Sequence, residues 1–401
     1  MHKEILAGIL RATQLTRAGR LAEATELIQR SLAGGPSGPA PFEGTSAGSG
    51  PATEVVIDGE CVEIITPTQS ERTERPVGPA STVAMRPGLK EAIRKWHRGS
   101  VGDEPRAASA AGTGSPGDWI AGVYENAAGQ RAYKLYVPSR YTGQPLPLIV
   151  LLHGCNQTPD DFAAGTQMNT LGEERNCFVL YPAQSNTANH SRCWNWFRRE
   201  DQVRDEGEPS IIAGMTRKMV KRYGIDARKV YVAGLSAGGA MAAIMGVTYP
   251  ELYAAVGIHS GLACASAHDL PSALAAMKGM PASFGRPSGV AGASHSIPTI
   301  VFHGDRDRTV HPRNGVDVIS SSTHREGGRG GQVSTERGRV PGGHSYTRTV
   351  HRDAAGQVVL EHWLVHGGGH AWFGGSRAGS YSDPRGPNAA AEMLRFFLQT
   401  A

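Results

Sequence analysis

The sequence predicts a protein of the α/β class, with a mostly parallel central sheet flanked by helices. Short apolar runs that are typical of buried strands alternate along the chain with stretches of helical spacing. Several of these apolar runs end directly before Ser, Asp, His or Cys residues. Open α/β sheets place their functional sites beyond the carboxyl ends of their strands. The polar residues after the apolar runs therefore support the prediction of a parallel α/β sheet.

The pattern assigns the elements of this sheet. The clearest strand is the apolar run from Leu146 to Leu152, whose length suits a buried strand better than a helix. Strands are expected near residues 132–138, 146–153, 177–182, 229–235, 254–259, 298–304 and 357–365. Flanking helices are expected at about 159–175, 208–223, 237–248 and 388–399.

One strand-to-helix turn has the sequence Gly234-Leu235-Ser236-Ala237-Gly238. A G-x-S-x-G turn at such a junction is a nucleophile elbow, in which the glycines allow a tight turn and the serine hydroxyl is exposed above the sheet. Ser236 is therefore the predicted nucleophile. The same small residues also suit an ordinary turn where a helix packs on a strand, so the interpretation depends on the rest of the site.

A nucleophilic serine needs a base and an acid that orients the base. One expected strand is followed by Asp305 and Asp307, and another by His366 and His370. We predict His370 as the base, because it lies beyond three glycines that would allow it to reach the serine, whereas His366 closes the strand. Asp307 is the predicted acid because it lies farther into its loop, while Asp305 braces the turn. The chain order Ser, Asp, His is the order that this type of site uses.

Hydrogen-bond donors for an oxyanion are expected from two loops. The strand that ends near residue 153 is followed by His153-Gly154-Cys155-Asn156-Gln157, the position from which this fold supplies one main-chain amide. The residue after the nucleophile supplies the other. The N–H groups of Cys155 and Ala237 are therefore the predicted oxyanion hole.

These motifs together resemble the polyhydroxybutyrate depolymerase esterase family of α/β-hydrolases, which is related to feruloyl and acetylxylan esterases. The similarity covers about residues 117–399. The motifs that carry it are His153-Gly154-Cys155-Asn156-Gln157, Cys193-Trp194-Asn195-Trp196-Phe197, Gly234–Met241, His303-Gly304 with Asp307, and Gly369-His370-Ala371-Trp372.

The resemblance implies an α/β-hydrolase fold with Ser236, Asp307 and His370 as the catalytic triad. It also implies a disulfide between Cys155 and Cys193. Tryptophans near the second cysteine line the substrate groove in the family, which corresponds to Trp194 or Trp196 here. Asn156 and Trp372 are further expected substrate contacts. Aromatic rings suit a polyester or a phenolic acyl group, although the same indoles could equally fill the space under their loops.

The first part of the chain differs from the rest in composition. Residues 1–33 have the spacing of two amphipathic helices, and this hairpin is similar to a single tetratricopeptide-type unit that could support a homo-oligomer. Residues 34–116 are rich in Gly, Pro and Ser and are predicted to be a flexible linker with short ordered pieces. The catalytic domain is expected at 117–401, with a Gly-rich loop near 327–331 between the acid and the base.

Composition excludes several classes of protein. The formal net charge of +5 is mild, and no basic face with stacking aromatics indicates nucleic-acid binding. No apolar stretch is long enough for a membrane helix, and the N-terminus lacks a hydrophobic signal core, which favours a cytoplasmic location. Paired Cys-x-x-Cys and H-E-x-x-H motifs are missing from the sequence, so no metal or other cofactor is expected.

We therefore expect a serine esterase acting through an acyl-enzyme, with hydroxyalkanoate (3-hydroxybutyrate) oligomers or polyester as the substrate. A feruloyl or acetylxylan esterase is the alternative, because both substrates need an aromatic groove beside the same triad. A non-catalytic interaction protein on the same fold is the alternative of another class. The Cys155–Cys193 pair leaves Cys61, Cys177 and Cys264 as thiols, and a reducing compartment would disfavour the pair unless it is shielded.

Overall fold

The computed structural model describes residues 116–280, 297–323 and 331–400. The predicted hairpin at 1–33, all but the last residue of the linker at 34–116 and most of the Gly-rich loop near 327–331 lie outside the described residues. The strands are β1 (Asp118–Asn126), β2 (Gly129–Val137), β3 (Leu148–Leu152), β4 (Phe178–Pro182), β5 (Val230–Leu235), β6 (Ala255–His259), β7 (Thr299–Gly304), β8 (Val333–Arg339), β9 (Ser345–Arg352), β10 (Val358–His366), β11 (Trp372–Phe373) and β12 (Ser382–Asp383). The helices are α1 (Pro159–Thr166), α2 (Met168–Arg175), α3 (Gly207–Tyr223), α4 (Ala237–Thr248), α5 (Leu270–Met277), α6 (Arg313–Thr323) and α7 (Ala389–Gln399), with a short 3₁₀ turn at Glu200–Gln202.

The large sheet has ten strands in the order β1-β2-β4-β3-β5-β6-β7-β10-β9-β8. The six strands from β4 to β10 run parallel to one another, and antiparallel strands extend the sheet at both edges. Every residue of β3, β5 and β6 is buried, as expected for strands covered by helices on both faces. The predicted α/β class and the seven predicted strands are therefore confirmed.

Side chains alternate between the two faces of the sheet because successive strand residues point in opposite directions. Leu148, Val150 and Leu152 of β3 pack into one buried cluster with residues of α3 and α4. Ile149 and Leu151 pack into a second cluster with residues of α1, α2 and α7. Helices therefore cover both faces of the central sheet.

Several features differ from the prediction, which did not include strand β1 or helices α5 and α6. The helix expected at 159–175 is two helices, because Gln167 between them adopts a left-handed conformation with φ 56° and ends the first. The hairpin β8–β9 was not predicted and extends the sheet beyond β10. Its outer strand is largely exposed and mainly polar, so it lacks the apolar signal by which buried strands are recognised.

The carboxyl ends of the parallel strands lie at one edge of the sheet. β3 is followed by His153, β5 by Ser236, and β7 by Asp305, while β6 ends at His259 and β10 ends at His366. Residues that are far apart in sequence therefore come together at this edge. This edge carries the candidate site.

Candidate active site

The elbow at the end of β5 has the geometry that the sequence motif predicts. Ser236 has φ 57° and ψ −118°, a conformation that residues other than glycine rarely adopt. A Cβ atom at Gly234 would collide with the Gly238 carbonyl, and one at Gly238 would collide with the Leu152 carbonyl. The two flanking positions therefore require glycine for close approach. Helix α4 begins at the next residue, Ala237.

Asp307 and His370 form a hydrogen-bonded pair. His370 Nδ1 lies 2.7 Å from Asp307 Oδ2, and the carboxylate side chain is fully buried. The other carboxylate oxygen, Oδ1, accepts the N–H groups of Thr309 and Val310, each at 2.9 Å. Burial raises the pKa of Asp307, but hydrogen bonds from His303 and His370 outweigh it and leave the pKa well below its ordinary value. The carboxylate is thus ionised and accepts the Nδ1 proton, which leaves His370 Nε2 as the basic nitrogen.

His303 contacts Asp307 and the turn that follows it. Its side chain is fully buried, and Nε2 lies 2.8 Å from the Val310 carbonyl and 3.5 Å from Asp307 Oδ2. Because a carbonyl oxygen can only accept, Nε2 must carry the proton and donate. His303 therefore braces the turn whose amides hold the Asp307 carboxylate. The sequence motif included His303 but gave it no role.

The alternative acid and the alternative base form a pair of their own. His366 Nδ1 lies 2.9 Å from Asp305 Oδ2, and Asp305 Oδ1 accepts the Gly367 N–H at 2.7 Å. His366 Nε2 is 2.8 Å from the Thr347 hydroxyl on β9. Asp305 thus braces the turn after β10, as predicted, and both ring nitrogens of His366 are already in use.

Main-chain contacts join the loops that carry the predicted triad. The Arg306 N–H donates to the Gly368 carbonyl at 3.0 Å, which ties the acid loop to the base loop. The Ser236 N–H donates to the His259 carbonyl at 2.8 Å, and the His259 ring accepts the Phe373 N–H at 3.1 Å. Ser236 Oγ and His370 Nε2 make no direct hydrogen bond in the structure. Such bonds are often long until substrate binds, so both atoms remain available for chemistry.

One predicted oxyanion donor, the Cys155 N–H, lies on the loop after β3, and the other, the Ala237 N–H, lies at the start of α4. Within the part of the chain that the structure describes, neither the Cys155 N–H nor the Ala237 N–H has a hydrogen-bond acceptor. Gln157, which is buried, accepts the Gly154 N–H at 2.9 Å and donates through Nε2 to Asp161 at 3.0 Å. The main-chain amides of this loop are therefore held in place by a side chain from the same loop.

A disulfide between Cys155 and Cys193 confirms the predicted bridge, and the two Cα atoms are 4.2 Å apart. It joins the oxyanion loop to the tryptophan-rich loop. Asn156 follows the bridged residue and is exposed, with φ 64°, and its N–H donates to the Ser191 carbonyl at 2.7 Å. The bridge and this hydrogen bond connect the same two loops. Cys177 is a buried thiol whose pKa burial raises to about 12.

The tryptophans do not form an open groove. Trp194 has no exposed surface, and its indole N–H donates to the His153 carbonyl at 3.1 Å. Trp372 is 1% exposed and stacks on the His259 ring. The expectation that Trp194 and Trp372 face substrate is therefore wrong, because both rings fill the space beneath their loops. Trp196 is also buried, with 6% of its surface exposed.

A buried polar network that the sequence did not reveal holds the tryptophan-rich loop. The Glu208 carboxylate lies 3.2 Å from the Arg131 guanidinium and accepts the Asn195 N–H at 2.7 Å and its side-chain amide at 2.8 Å. Gln184 also donates to this carboxylate. Asp201 accepts the Glu208 N–H at 2.7 Å, and burial with the nearby Glu208 charge raises the pKa of Asp201 to about 7. Local sequence gives no signal for these contacts, because the groups come from distant elements.

The described residues contain neither a cluster of metal-binding side chains nor a membrane-spanning helix. Among residues 116–280, 297–323 and 331–400, no group of three or more His, Cys, Asp or Glu side chains is arranged to hold a metal ion. No helix in these ranges is long and apolar enough to cross a membrane.

Comparison with known proteins places the chain among esterases. Poly(3-hydroxyalkanoate) depolymerase C of Paucimonas lemoignei is 33% identical over 245 residues, which is 59% of this chain and 57% of that protein. Feruloyl esterase B of Neurospora crassa is 28% identical, over 55% of this chain and 77% of the esterase. Acetylxylan esterase A of Talaromyces purpureogenus is 29% identical, over 49% of this chain and 53% of that enzyme. The chain thus spans only part of the length of each relative.

A solved structure and a family model agree with these relatives. The acetyl xylan esterase from Aspergillus awamori superposes with a TM-score of 0.53 and 21% identity, covering 68% of this chain and 94% of that one. This likeness supports the α/β-hydrolase fold. The model of the family described as Esterase PHB depolymerase matches residues 131–336, just over half of the chain. The protein therefore belongs to the PHB depolymerase family of esterases.

Proposed function

We propose that the protein is a serine ester hydrolase in which Ser236 is the nucleophile, His370 the base and Asp307 the orienting acid. The observation that carries the proposal is that a strained elbow serine and a buried Asp–His pair lie at the same edge of one parallel sheet. Backbone strain at a residue other than glycine costs about 1–3 kcal/mol and persists where function requires it. The 2.7 Å bond between His370 and Asp307 fixes which imidazole nitrogen is basic.

In the first step, Ser236 Oγ attacks the ester carbonyl and gives its proton to His370 Nε2. The carbonyl oxygen becomes an oxyanion, which the N–H groups of Cys155 and Ala237 bind. Removing one such donor typically costs about 3–4 kcal/mol of transition-state stabilisation. Asp307 stays ionised and stabilises the imidazolium that forms. His370 then gives the proton to the leaving alcohol, and an acyl-enzyme remains on Ser236.

In the second step, His370 Nε2 takes a proton from water, and the resulting hydroxide attacks the acyl-enzyme carbonyl. The same two amides bind the second oxyanion. Collapse of this intermediate returns the proton from His370 to Ser236 Oγ and releases the carboxylic acid. The protein groups in both steps are side chains and main-chain amides of the described residues, and water is the nucleophile in the second step.

We propose hydroxyalkanoate esters, such as 3-hydroxybutyrate oligomers or polyester, as the substrate. The support is the family and the 33% identity to a poly(3-hydroxyalkanoate) depolymerase. Of the predicted substrate contacts, Asn156, which is exposed, and Trp196, which keeps a small exposed surface, remain part of the proposal, because they lie near the bridged cysteines in the sequence. A carbohydrate esterase is the second candidate, since feruloyl and acetylxylan esterases are also relatives.

A hydrolysis panel distinguishes these substrates. Wild-type protein would be assayed on 3-hydroxybutyrate oligomers, methyl ferulate, acetylated xylan and p-nitrophenyl esters of increasing chain length. Preference for the oligomers supports the proposal, and preference for ferulate or xylan supports the second candidate. No turnover of any ester, together with no labelling by a fluorophosphonate, would favour a non-catalytic interaction protein. Size-exclusion chromatography tests the separate prediction of a homo-oligomer formed through residues 1–33.

A further inference from the structure

His259 is the last residue of β6, and it touches both the nucleophile turn and the segment that follows the base. Its carbonyl accepts the Ser236 N–H at 2.8 Å, and its ring Nε2 accepts the Phe373 N–H at 3.1 Å. Phe373 lies three residues after His370. One buried residue therefore contacts the backbone of two loops that carry predicted triad members.

Hydrogen bonding fixes the tautomer of this ring. A main-chain N–H can only donate, so His259 Nε2 carries no proton and the proton is on Nδ1, which lies 3.3 Å from Ser260 Oγ. The ring is fully buried, and three titratable groups are close enough to influence its pKa, namely His303, His370 and Asp307. Burial and the two neighbouring histidines hold the pKa of His259 well below its ordinary value. The imidazole is therefore a neutral acceptor.

Aromatic contacts hold the ring in this orientation. The His259 ring stacks on Trp372 with centroids 4.9 Å apart and on Phe302 with centroids 5.7 Å apart. The Phe373 ring lies 4.8 Å away in a tilted arrangement. The ring is thus fixed between β7 and the end of the base segment, with Nε2 directed at the Phe373 amide.

The base segment is anchored at both ends. At its start, the Gly367 N–H donates to Asp305 and the Gly368 carbonyl accepts the Arg306 N–H. The segment leaves β10 through Gly367, Gly368 and Gly369, which have no side chains to pack, and Gly367 has φ 81°. At its far end, the Trp372 N–H donates to the Tyr381 carbonyl at 2.6 Å and the Phe373 N–H donates to His259. The bond to His259 links this end to the residue whose carbonyl also accepts the Ser236 N–H.

We propose that His259 is a positioning residue for the base. By accepting the Phe373 N–H, it holds the segment 370–373 so that His370 keeps its bond to Asp307 and presents Nε2 to Ser236. This inference rests on the proposed ester hydrolysis. It assigns a catalytic consequence to a side chain that does not touch the reacting atoms.

Two substitutions of His259 distinguish the roles of its two ring nitrogens. In His259→Gln, the amide oxygen can occupy the Nε2 position and accept the Phe373 N–H. In His259→Asn, the shorter side chain reaches only the Nδ1 position beside Ser260, so the Phe373 bond is lost. Both replacements are polar and smaller than histidine. A matched control is His351→Phe, which removes a partly buried histidine on β9, away from the predicted triad.

The variants would be assayed on p-nitrophenyl acetate across pH, with rates normalised to sites titrated by a fluorophosphonate. His259→Asn should lower kcat on the order of 10- to 100-fold with KM nearly unchanged. A displaced base slows the chemical step but leaves substrate binding as it was. The acid limb of kcat/KM should move to lower pH, since a weakened Asp307 contact stabilises the His370 imidazolium less. His259→Gln should retain most of the rate and the wild-type profile, as should His351→Phe.

Other results would overturn the inference. If the Asn and Gln variants have equal rates and equal pH profiles, the acceptor at the Nε2 position does not position the base. If they lose only thermal stability, with kcat per titrated site unchanged, the role of His259 is structural alone. Wild-type protein that hydrolyses no ester would overturn the proposed function and this inference together. An active wild type with indistinguishable variants would overturn only the inference.

Discussion

Two Asp–His pairs lie within a few residues of each other at the same edge of the sheet. In Asp307–His370 the carboxylate side chain is fully buried and the imidazole is 13% exposed. In Asp305–His366 the side chains are 36% and 38% exposed. The two pairs have nearly equal hydrogen-bond lengths, 2.7 Å and 2.9 Å, so the bond itself does not distinguish them.

The surroundings of each pair make the difference. The second ring nitrogen of His366 is bonded to Thr347, whereas His370 Nε2 has no partner among the described residues. Asp307 receives two main-chain N–H groups and contacts from two imidazoles, in a site with little water to screen its charge. The exposed pair is screened by solvent and braces a turn. An Asp–His pair is thus suited to catalysis by burial and by a free second nitrogen.

The largest expected effect is the difference in kcat between substitutions of His370 and of His366. His370→Ala should lower kcat for p-nitrophenyl butyrate by about 10⁴-fold or more, as is usual for a triad that acts as a unit. Ser236→Ala should have a similar effect. His366→Ala removes the same side chain from the exposed pair and should leave kcat within a few-fold of wild type. Steady-state kinetics on protein with unchanged circular dichroism checks this, and a severe loss in His366→Ala would mean that the base is misassigned.

The next largest effect is the difference in kcat between substitutions of Asp307 and of Asp305. Asp307→Asn should lower kcat by roughly 10³- to 10⁴-fold, because His370 loses the charge that orients it and stabilises its imidazolium. Asp305→Asn should cost much less, since it affects only the turn after β10. Measuring both variants on the same ester decides the assignment. The reverse order of effects would make Asp305 the acid.

A smaller effect is expected from the disulfide. Cys155→Ser retains the main-chain N–H and loses only the bridge to Cys193, so it should cost less than the roughly 3–4 kcal/mol of a lost oxyanion donor. We expect about a tenfold loss in kcat, with a similar loss in Cys193→Ser. Cys177→Ser, at a buried cysteine outside the site, is the control. Equal rates in all three variants would show that the bridge does not position the oxyanion loop.

The prediction with the smallest expected effect on catalytic rate concerns the pH dependence of stability. Burial lowers the pKa of His153 and of His362 to about 4, below the ordinary value near 6.5. The unfolded chain therefore takes up these protons first, and each residue should reduce the free energy of unfolding by about 1.4 kcal/mol per pH unit as pH falls from 6.5 to 4. Above pH 6.5 the loss vanishes. Asp307, whose pKa is lowered, contributes stability that is lost only at still lower pH.

Urea unfolding at several pH values measures the slope of the free energy of unfolding against pH. His362→Phe should make the slope shallower, because one titrating group is removed from the folded core. His190→Ala, at an exposed position, should leave the slope unchanged. An unchanged slope in His362→Phe would show that this residue does not titrate differently in the folded and unfolded states.

The sequence predicted the parts of the fold whose signals are local. The strands with continuous apolar runs, the elbow glycines and the pairing of Asp307 with His370 were all predicted and are present. The resemblance also predicted the Cys155–Cys193 bridge. Each of these depends on a few neighbouring residues or on a motif with fixed spacing.

Features that depend on distant contacts were not predicted. His259 and Phe373 are 114 residues apart in sequence, and Gln157 and Ser380 are 223 residues apart. The resemblance and the aromatic composition of the tryptophan-rich loop predicted that it faces substrate, yet Trp194 bonds the His153 carbonyl and is buried. Composition indicates that an aromatic residue is present but not which side of its loop the ring occupies. That is decided by packing between elements.

Active-site labelling tests the central claim most directly. Wild-type protein would be treated with a fluorophosphonate, digested and examined by mass spectrometry, in parallel with His370→Ala and His366→Ala. The account predicts one label per chain on Ser236 in wild type and in His366→Ala, and almost no label in His370→Ala, because only the buried pair activates the serine. A label on another serine, or a label lost in His366→Ala and retained in His370→Ala, would contradict it.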